Sequence, residues 1–376
     1  MKISVLCFDL AGNAAGRAHL LARLLEPIAS VEVVGPCDGG TVWEPVAGDG
    51  IAQRTVPGAR FPAFASSVRA LLALADGDLL YASKPRLGSA GIGYLKRLTA
   101  RRPLLLDIDD WEVGFFLRSG FWGTLGRALN VGSPAGLPWT WLMERLSGAA
   151  DGITVASRFL QRRFGGVLIP HVRDTDSWKP GCADPVRARR RLGVDSERVV
   201  MFLGTPRHYK GIDDLAAAVA RLGRGDVVLA LVGTDPASPR GRELASRFPQ
   251  VRLLGRVPFA QVPEYLLAAD VVAVPQRDTS DTRGQVPAKI FDAMALAVPV
   301  IATRVSMIPE ILEGCGALVP PGDVEALAQG IGRLLDHPDE ARALGQRARE
   351  RCVDRYSFRA ARRDLFPLVE QALARR

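Results

Sequence analysis

The chain of 376 residues is too long for one ordinary core and about right for two domains of roughly 150 to 200 residues. With 48% apolar residues, 24% charged residues and a mean hydropathy of +0.09, its composition is that of a soluble globular protein, and no apolar run approaches the roughly 20 residues that span a bilayer. Five cysteines without a C-x-x-C pair fit neither a disulfide framework nor a zinc site and point to a reducing cytoplasm, while the net charge of +9 is spread over both halves. That charge leaves open an anionic ligand, an anionic surface, or simply a solvated arginine-rich exterior.

From the N-terminus, short apolar runs alternate with helical spacing. Residues 3–7, 31–35, 79–82, 104–107 and 153–156 read as buried parallel strands. Asp9 ends the first run too early for a signal peptide. After it, Gly12-Asn13-Ala-Ala-Gly16-Arg17 forms a small-residue loop without G-x-G-x-x-G spacing, and Gly16 is a candidate position for close approach of a ligand. The run at 104–107 ends in Asp107, Asp109, Asp110 and Glu112. Carboxylates that close raise one another's pKa, so a metal site, a tuned acid/base group and helix capping before Trp111 all stand as readings. Residues 115–143 are apolar and aromatic, with Phe115, Phe116, Phe121, Trp122, Trp139 and Trp141 interleaved with Arg118 and Arg127. This segment suits a lipid-facing or acceptor-binding flap, and equally buried aromatic packing.

Trp178-Lys179-Pro180-Gly181 breaks the pattern as a linker and precedes a basic helix at 185–191. Strands follow at 199–203, 227–232, 251–254, 271–274 and 300–302, so two doubly wound α/β domains are expected, with ligands at the carboxyl ends of their strands. After the first of these strands comes Gly204-Thr-Pro-Arg207-His208-Tyr209-Lys210-Gly211 and then helical spacing. Glycine lets a phosphate approach the backbone, the helix start offers N–H groups, and Arg207 and Lys210 add cations; an ordinary solvated turn is the bland alternative. The polar connection 275–287 includes Gln276, Asp281 and Gln285, and leads into a helix carrying Lys289 and Asp292 three apart beside apolar Phe291, Met294 and Ala295. Two further helices are expected at 339–351 and 358–376, the second kinked at Pro367 and crossing back to the first domain.

These motifs together resemble the retaining family-four glycosyltransferases of GT-B fold over most of the chain, most closely at 201–319. Gly204 with Lys210-Gly211 is similar to the family's G-x5-K-G diphosphate site, with Thr205 where an arginine is usual and Arg207 as its substitute. Asp292-Ala293-Met294-Ala295 followed by Pro299-Val300-Ile301 resembles the E-A-M-A-x-G-x-P-V-I segment, which implies Asp292 as the ribose contact. Ile169-Pro170-His171-Val172-Arg173-Asp174 is similar to the turn entering the interdomain linker. Gly284 stands where the family's E-x7-E motif has its first glutamate, leaving Gln285 or Lys289 for sugar hydroxyls, and Asp109-Asp110 stand where a His-Asp pair is usual.

The resemblance implies an α/β GT-B fold of two Rossmann-like domains facing an interdomain cleft: an acceptor-binding domain at 1–178, a nucleotide-sugar-binding domain at 179–355, and a last helix at 356–376 returning to the first. It implies transfer of a hexosyl group from a UDP- or GDP-sugar to an acceptor hydroxyl with retention, without metal or tightly bound cofactor. Asp109, Asp110, Arg207 and Lys210 are then catalytic, and Gly204, Arg207, Lys210, Gln285, Lys289, Asp292 and Gly16 bind the donor. The acceptor is expected to be a glycan, a lipid-linked molecule or a small molecule, and the location cytoplasmic, with peripheral contact at the inner face of the membrane left open. Nucleic acid is not expected, because the basic residues form no aromatic-interleaved stripe. A sugar-nucleotide epimerase on the same fold and a silent nucleotide-sugar-binding protein remain as alternatives.

Overall fold

The computed structural model describes residues 1–117, 123, 126–280 and 282–375. Arg118, Phe121, Trp122 and Asp281 lie outside the described residues. The chain divides into two units, one of Met1–His171 with the chain from Ala361 onward, the other of Val172–Ala360. Trp178 and the turn after it therefore fall inside the second unit.

The first unit is built on seven parallel strands, β1 (Lys2–Cys7), β2 (Ser30–Cys37), β3 (Ala52–Pro57), β4 (Leu79–Ser83), β5 (Leu104–Ile108), β6 (Gly152–Val155) and β7 (Val167–Leu168), in the order β3-β2-β1-β4-β5-β6-β7. Parallel neighbours need a crossover, and the helices Ala14–Leu25, Phe64–Leu74 and Ile92–Ala100 provide it between successive strands. β1, β4 and β5 are covered on both faces, which is why they read as continuous apolar runs. β3 and β7 were not expected. Both are edge strands, β3 mostly solvent-facing and β7 only two residues long, so neither carries the apolar signature of a central strand.

The second unit repeats the plan with β8 (Arg198–Leu203), β9 (Val227–Val232), β10 (Val251–Leu254), β11 (Val271–Val274), β12 (Val300–Thr303) and β13 (Ala317–Val319), ordered β10-β9-β8-β11-β12-β13. The short β13 at the edge was again missed. In both sheets the strand order reverses beside the first strand, between β1 and β4 and between β8 and β11. Crossovers leave in opposite directions there and open a crevice at the carboxyl ends.

The helix Pro338–Arg355 packs on Ala288–Ala295 so closely that a Cβ on Gly345 would lie 2.1 Å from the Ala297 carbonyl oxygen. Arg349 donates to the carbonyl of Ala295, an acceptor at the end of the shorter helix, and at 2.8 Å to that of Thr175. The last helix, Phe358–Ala374, contains Pro367. From Ala361 it belongs to the first unit: Leu365, Val369 and Ala372 are buried, and Arg362 donates to the carbonyl of Leu24 at 3.0 Å. Where the chain enters and leaves the second unit its ends pair, Arg173 N donating to Tyr356 O and Phe358 N to Arg173 O, both at 2.9 Å. No described helix is long and apolar enough to cross a membrane.

Candidate active site

At the switch point of the second sheet, β8 ends in Gly204, whose φ of 136° is open only to glycine. Gly233, after β9, backs directly on it: a Cβ there would lie 2.9 Å from the Gly204 carbonyl carbon. On its other side Gly204 faces two ammonium groups. A Cβ built on it would stand 3.0 Å from Lys289 Nζ and 3.7 Å from Lys210 Nζ. Lys210 reaches this place because a 3-10 turn, His208–Lys210, is closed by Gly211 at φ 64°, packed so tightly that a Cβ would come within 1.9 Å of the Pro275 oxygen. Lys210 Nζ donates to Thr205 O at 2.9 Å. Lys289 lies in the first turn of the helix Ala288–Ala295, its Nζ 5.2 Å from the centre of the Phe202 ring.

Among the described residues no acidic side chain bonds either ammonium. Burial, then the charges of Lys289 and Arg207, lower the Lys210 pKa to about 6; burial lowers that of Lys289 to about 8 against the opposing pull of Asp292. Buried ammonium groups without an acidic partner disfavour their own charged forms, and an anion bound beside them reverses the effect. The helix Ile212–Arg221, capped by Gly211 without a side-chain hydrogen bond, starts beside them. At the neighbouring strand ends Thr234 Oγ1 and Gln276 Nε2 are buried and have no partner among the described residues. Such groups require an explanation, and a polar ligand is one.

Arg207 is exposed on the same turn, and Gln285 is half-buried, its backbone N–H donating to Thr282 O at 3.0 Å. Arg277, in the connection after β11, is fixed by a two-pronged bond to Asp214 at 2.8 and 2.7 Å. Asp292 does not pair with Lys289 as their spacing suggested. Its Oδ1 accepts from Arg173 Nε, and the Arg173 guanidinium lies beside the paired rings of Trp178 and Phe259, 5.7 and 5.9 Å from their centres. The cation arrives from a position 119 residues away in sequence, so local spacing carried no sign of it.

The first unit holds the other candidates, and here the expected carboxylate cluster is divided by buried cations. Asp107 is bound by Arg17 at 2.9 and 2.7 Å and by Thr154 at 2.7 Å. Lys84, just after β4, places its Nζ 2.8 Å from Asp109 Oδ1, Asp110 Oδ2 and Glu112 Oε1. Those three carboxylates lie within 4.8 Å of one another, a spacing suited to a cation, and the cation among them is this ammonium. Lys84 has a φ of 71°, unusual for a side-chain-bearing residue, and its backbone is pinned by Lys84 N donating to Asp107 O and Ser89 Oγ donating to Lys84 O, both at 2.8 Å. Arg86 supplies a second cation to Glu112.

Mutual repulsion therefore does not raise all four acids. Burial pushes Glu112 up, but Lys84 and Arg86 outweigh it and bring it to about 2. Asp109 is pushed up to about 7, by burial first and by Asp110 and Asp107 after it, with Lys84 and Arg17 opposing. Helix capping by Asp109 or Asp110 does not occur: the next turn, Val113–Phe115, begins at Glu112 with no side-chain cap. Gly16 is explained by packing, since a Cβ there would meet the Trp43 ring at 3.0 Å. Of the aromatic segment, Trp139 packs on Phe61 with ring centres 5.4 Å apart, whereas Trp141 is exposed.

Two parallel-sheet α/β units, each with its strand order reversing beside the first strand, are the GT-B fold of the solved glycosyltransferase structures this chain resembles. Anabaena Alr3699/HepE in complex with UDP-glucose superposes with a TM-score of 0.78 over 98% of this chain and 99% of that one, at 19% identity. Residues 197–337 match the sequence model of the family "Glycosyl transferases group 1". The GDP-mannose-dependent alpha-(1-6)-phosphatidylinositol monomannoside mannosyltransferase of Mycolicibacterium smegmatis is 31% identical over 286 residues, 71% of this chain and 70% of that protein. MMP alpha-(1->4)-mannosyltransferase of Mycolicibacterium hassiacum is 31% identical over 192 residues, 49% of this chain and 46% of the relative. The chain belongs to the group 1 glycosyl transferases.

Proposed function

We propose that the protein transfers a hexosyl group from a nucleoside diphosphate sugar to an acceptor hydroxyl, with retention of anomeric configuration and without a divalent metal. The observation that carries this reading is the pair of ammonium groups, Lys210 and Lys289, converging on the Cβ-free face of Gly204. A departing diphosphate gathers negative charge on its oxygens, and two preorganised cations beside a helix start stabilise that charge more than they stabilise the ground state. The electrostatic work a metal would do is then already assigned to side chains. Thr205 occupies the place of the family's usual arginine, and Lys289 compensates for it more directly than the exposed Arg207. Asp292 accepts from the ribose, its orientation set by Arg173.

Retention follows if the leaving phosphate takes the acceptor's proton on the face from which it departs. Asp109, whose pKa of about 7 leaves it able to give or accept a proton, serves the acceptor hydroxyl by hydrogen bonding. The relative that uses GDP-mannose and the neighbour that holds UDP-glucose make those two nucleotides the first donors to test. The acceptor class we propose is a glycan or an inositol-containing lipid, as the names of the relatives suggest.

Calorimetric titration of GDP and UDP into wild type, Lys210→Met, Lys289→Met and Arg207→Ala tests the clamp. Each lysine variant should lose at least roughly tenfold in affinity and Arg207→Ala less than about threefold, in line with the value of a charge-assisted hydrogen bond. An Arg207→Ala loss as large as that of Lys289→Met would sink the assignment. Proton magnetic resonance of the product's anomeric signal, with the matching donor, decides retention.

A further inference from the structure

We propose that the first unit docks on an anionic lipid surface through the helix Ile92–Ala100 and the adjoining end of the helix Leu137–Arg145. This inference is independent of the donor site. The helix Ile92–Ala100 buries its start, where Gly93 lies against Leu104, and leaves Leu95 and Leu98 outside, Leu98 79% exposed. Tyr94 Oη donates to Leu146 O at 2.7 Å and Arg97 Nε to Ala149 O at 3.2 Å, so the two helices adjoin and exposed Leu146 stands at the junction. One turn earlier is exposed Trp141, with the Arg145 guanidinium 5.2 Å from its ring centre.

Single exposed leucines are ordinary; what distinguishes this face is what surrounds them. Residues 87–106 contain Lys96, Arg97, Arg101 and Arg102 and not one Asp or Glu. Of the acids around this face, Asp151 pairs with Arg97 at 2.6 Å, Asp78 pairs with Arg102 at 3.2 Å, and Glu144 is buried and accepts from Val113 N. Half-buried Lys96, exposed Arg101 and exposed Arg145, on and at the ends of these same two helices, have no ion-pair partner among the described residues. Aliphatic side chains with an indole among them and long basic side chains at the rim match the boundary between acyl chains and anionic headgroups, where the cations reach outward and the apolar parts sink. A second copy of this chain fits poorly, since a two-fold contact would set this basic rim against itself.

The test is sedimentation of the full chain with vesicles of phosphatidylcholine alone or mixed with phosphatidylglycerol. Wild type should pellet with the anionic vesicles at about 50 mM salt and be released by about 500 mM salt, as screening requires. Leu95→Ser with Leu98→Ser, and separately Lys96→Glu with Arg101→Glu, should each lower partitioning by roughly tenfold or more. Their melting temperatures and nucleoside diphosphate affinities should match wild type, which separates this surface from the donor site. A wild type that stays in the supernatant overturns the proposal, as do variants that pellet equally well. Self-association seen by light scattering and lost in the leucine variant, without vesicle binding, also overturns it and assigns the face to a second copy.

Discussion

Lys210 is the residue at which ligand binding and stability pull in opposite directions. Its folded pKa of about 6 lies below the ordinary 10.5, so between those values the unfolded chain binds more protons than the folded one. Stability of the unliganded protein therefore rises with pH across that window, and the penalty is complete below about 6. Lys210→Met should flatten this rise and leave the unliganded protein more stable than wild type near pH 7, as urea titrations at several pH values will show, while nucleoside diphosphate binding is lost. Binding itself should take up protons at neutral pH and weaken as pH rises, which calorimetry in buffers of different ionisation enthalpy measures directly. Lys84 behaves oppositely. Its removal in Lys84→Met strands three carboxylates that share one ammonium and should cost about 3 to 5 kcal/mol by denaturant unfolding. The two lysines also differ in how they could be found from sequence. Lys289 and Lys210 sit inside patterns of glycine and helical spacing, whereas Lys84 meets its acids only because parallel pairing of β4 with β5 brings their ends together.

Among elements, the central strands were legible, and of the edge strands only β10 was. A strand buried on both faces must be apolar throughout, so β1, β4, β8, β9 and β11 announce themselves. β3 and β13 satisfy only one neighbour and one face, and their sequences read as loop. The helix Ala288–Ala295 was legible from its spacing, but what holds it was not: Arg349 and Gly345 reach it from a helix some fifty residues on. Gly345→Ala must push that helix away from Ala297 and should destabilise the protein by about 1 to 3 kcal/mol. Because Lys289 and Asp292 ride on the displaced helix, nucleoside diphosphate affinity should fall with it; an unchanged Kd in a destabilised variant would show that the helix keeps its place.

For the molecule as a whole, the alternation of apolar runs and helices foretold two parallel-sheet units, and the last helix was expected to cross back to the first; the structure groups the chain from Ala361 onward with Met1–His171. Val172–Ala360 is continuous, its two ends paired at Arg173 and Phe358, and should fold when expressed alone and bind GDP or UDP. Residues 1–171 alone lack Leu365 and Val369, fully buried side chains worth roughly 3 to 6 kcal/mol together, and should expose apolar surface that binds a hydrophobic dye; addition of a peptide of residues 361–375 should reduce that signal.

The helix Phe358–Ala374 also sets a timetable for biosynthesis. All seven strands of the first sheet leave the ribosome before the second unit is made, yet the helix that covers part of that sheet appears only after the second unit. Through all of that interval the nascent first unit presents the bare docking groove of Leu365 and Val369, while a complete second unit forms downstream of it. A chaperone that holds exposed apolar surface during translation would act on this chain at residues 1–171, and its task would end only when the helix Phe358–Ala374 is released.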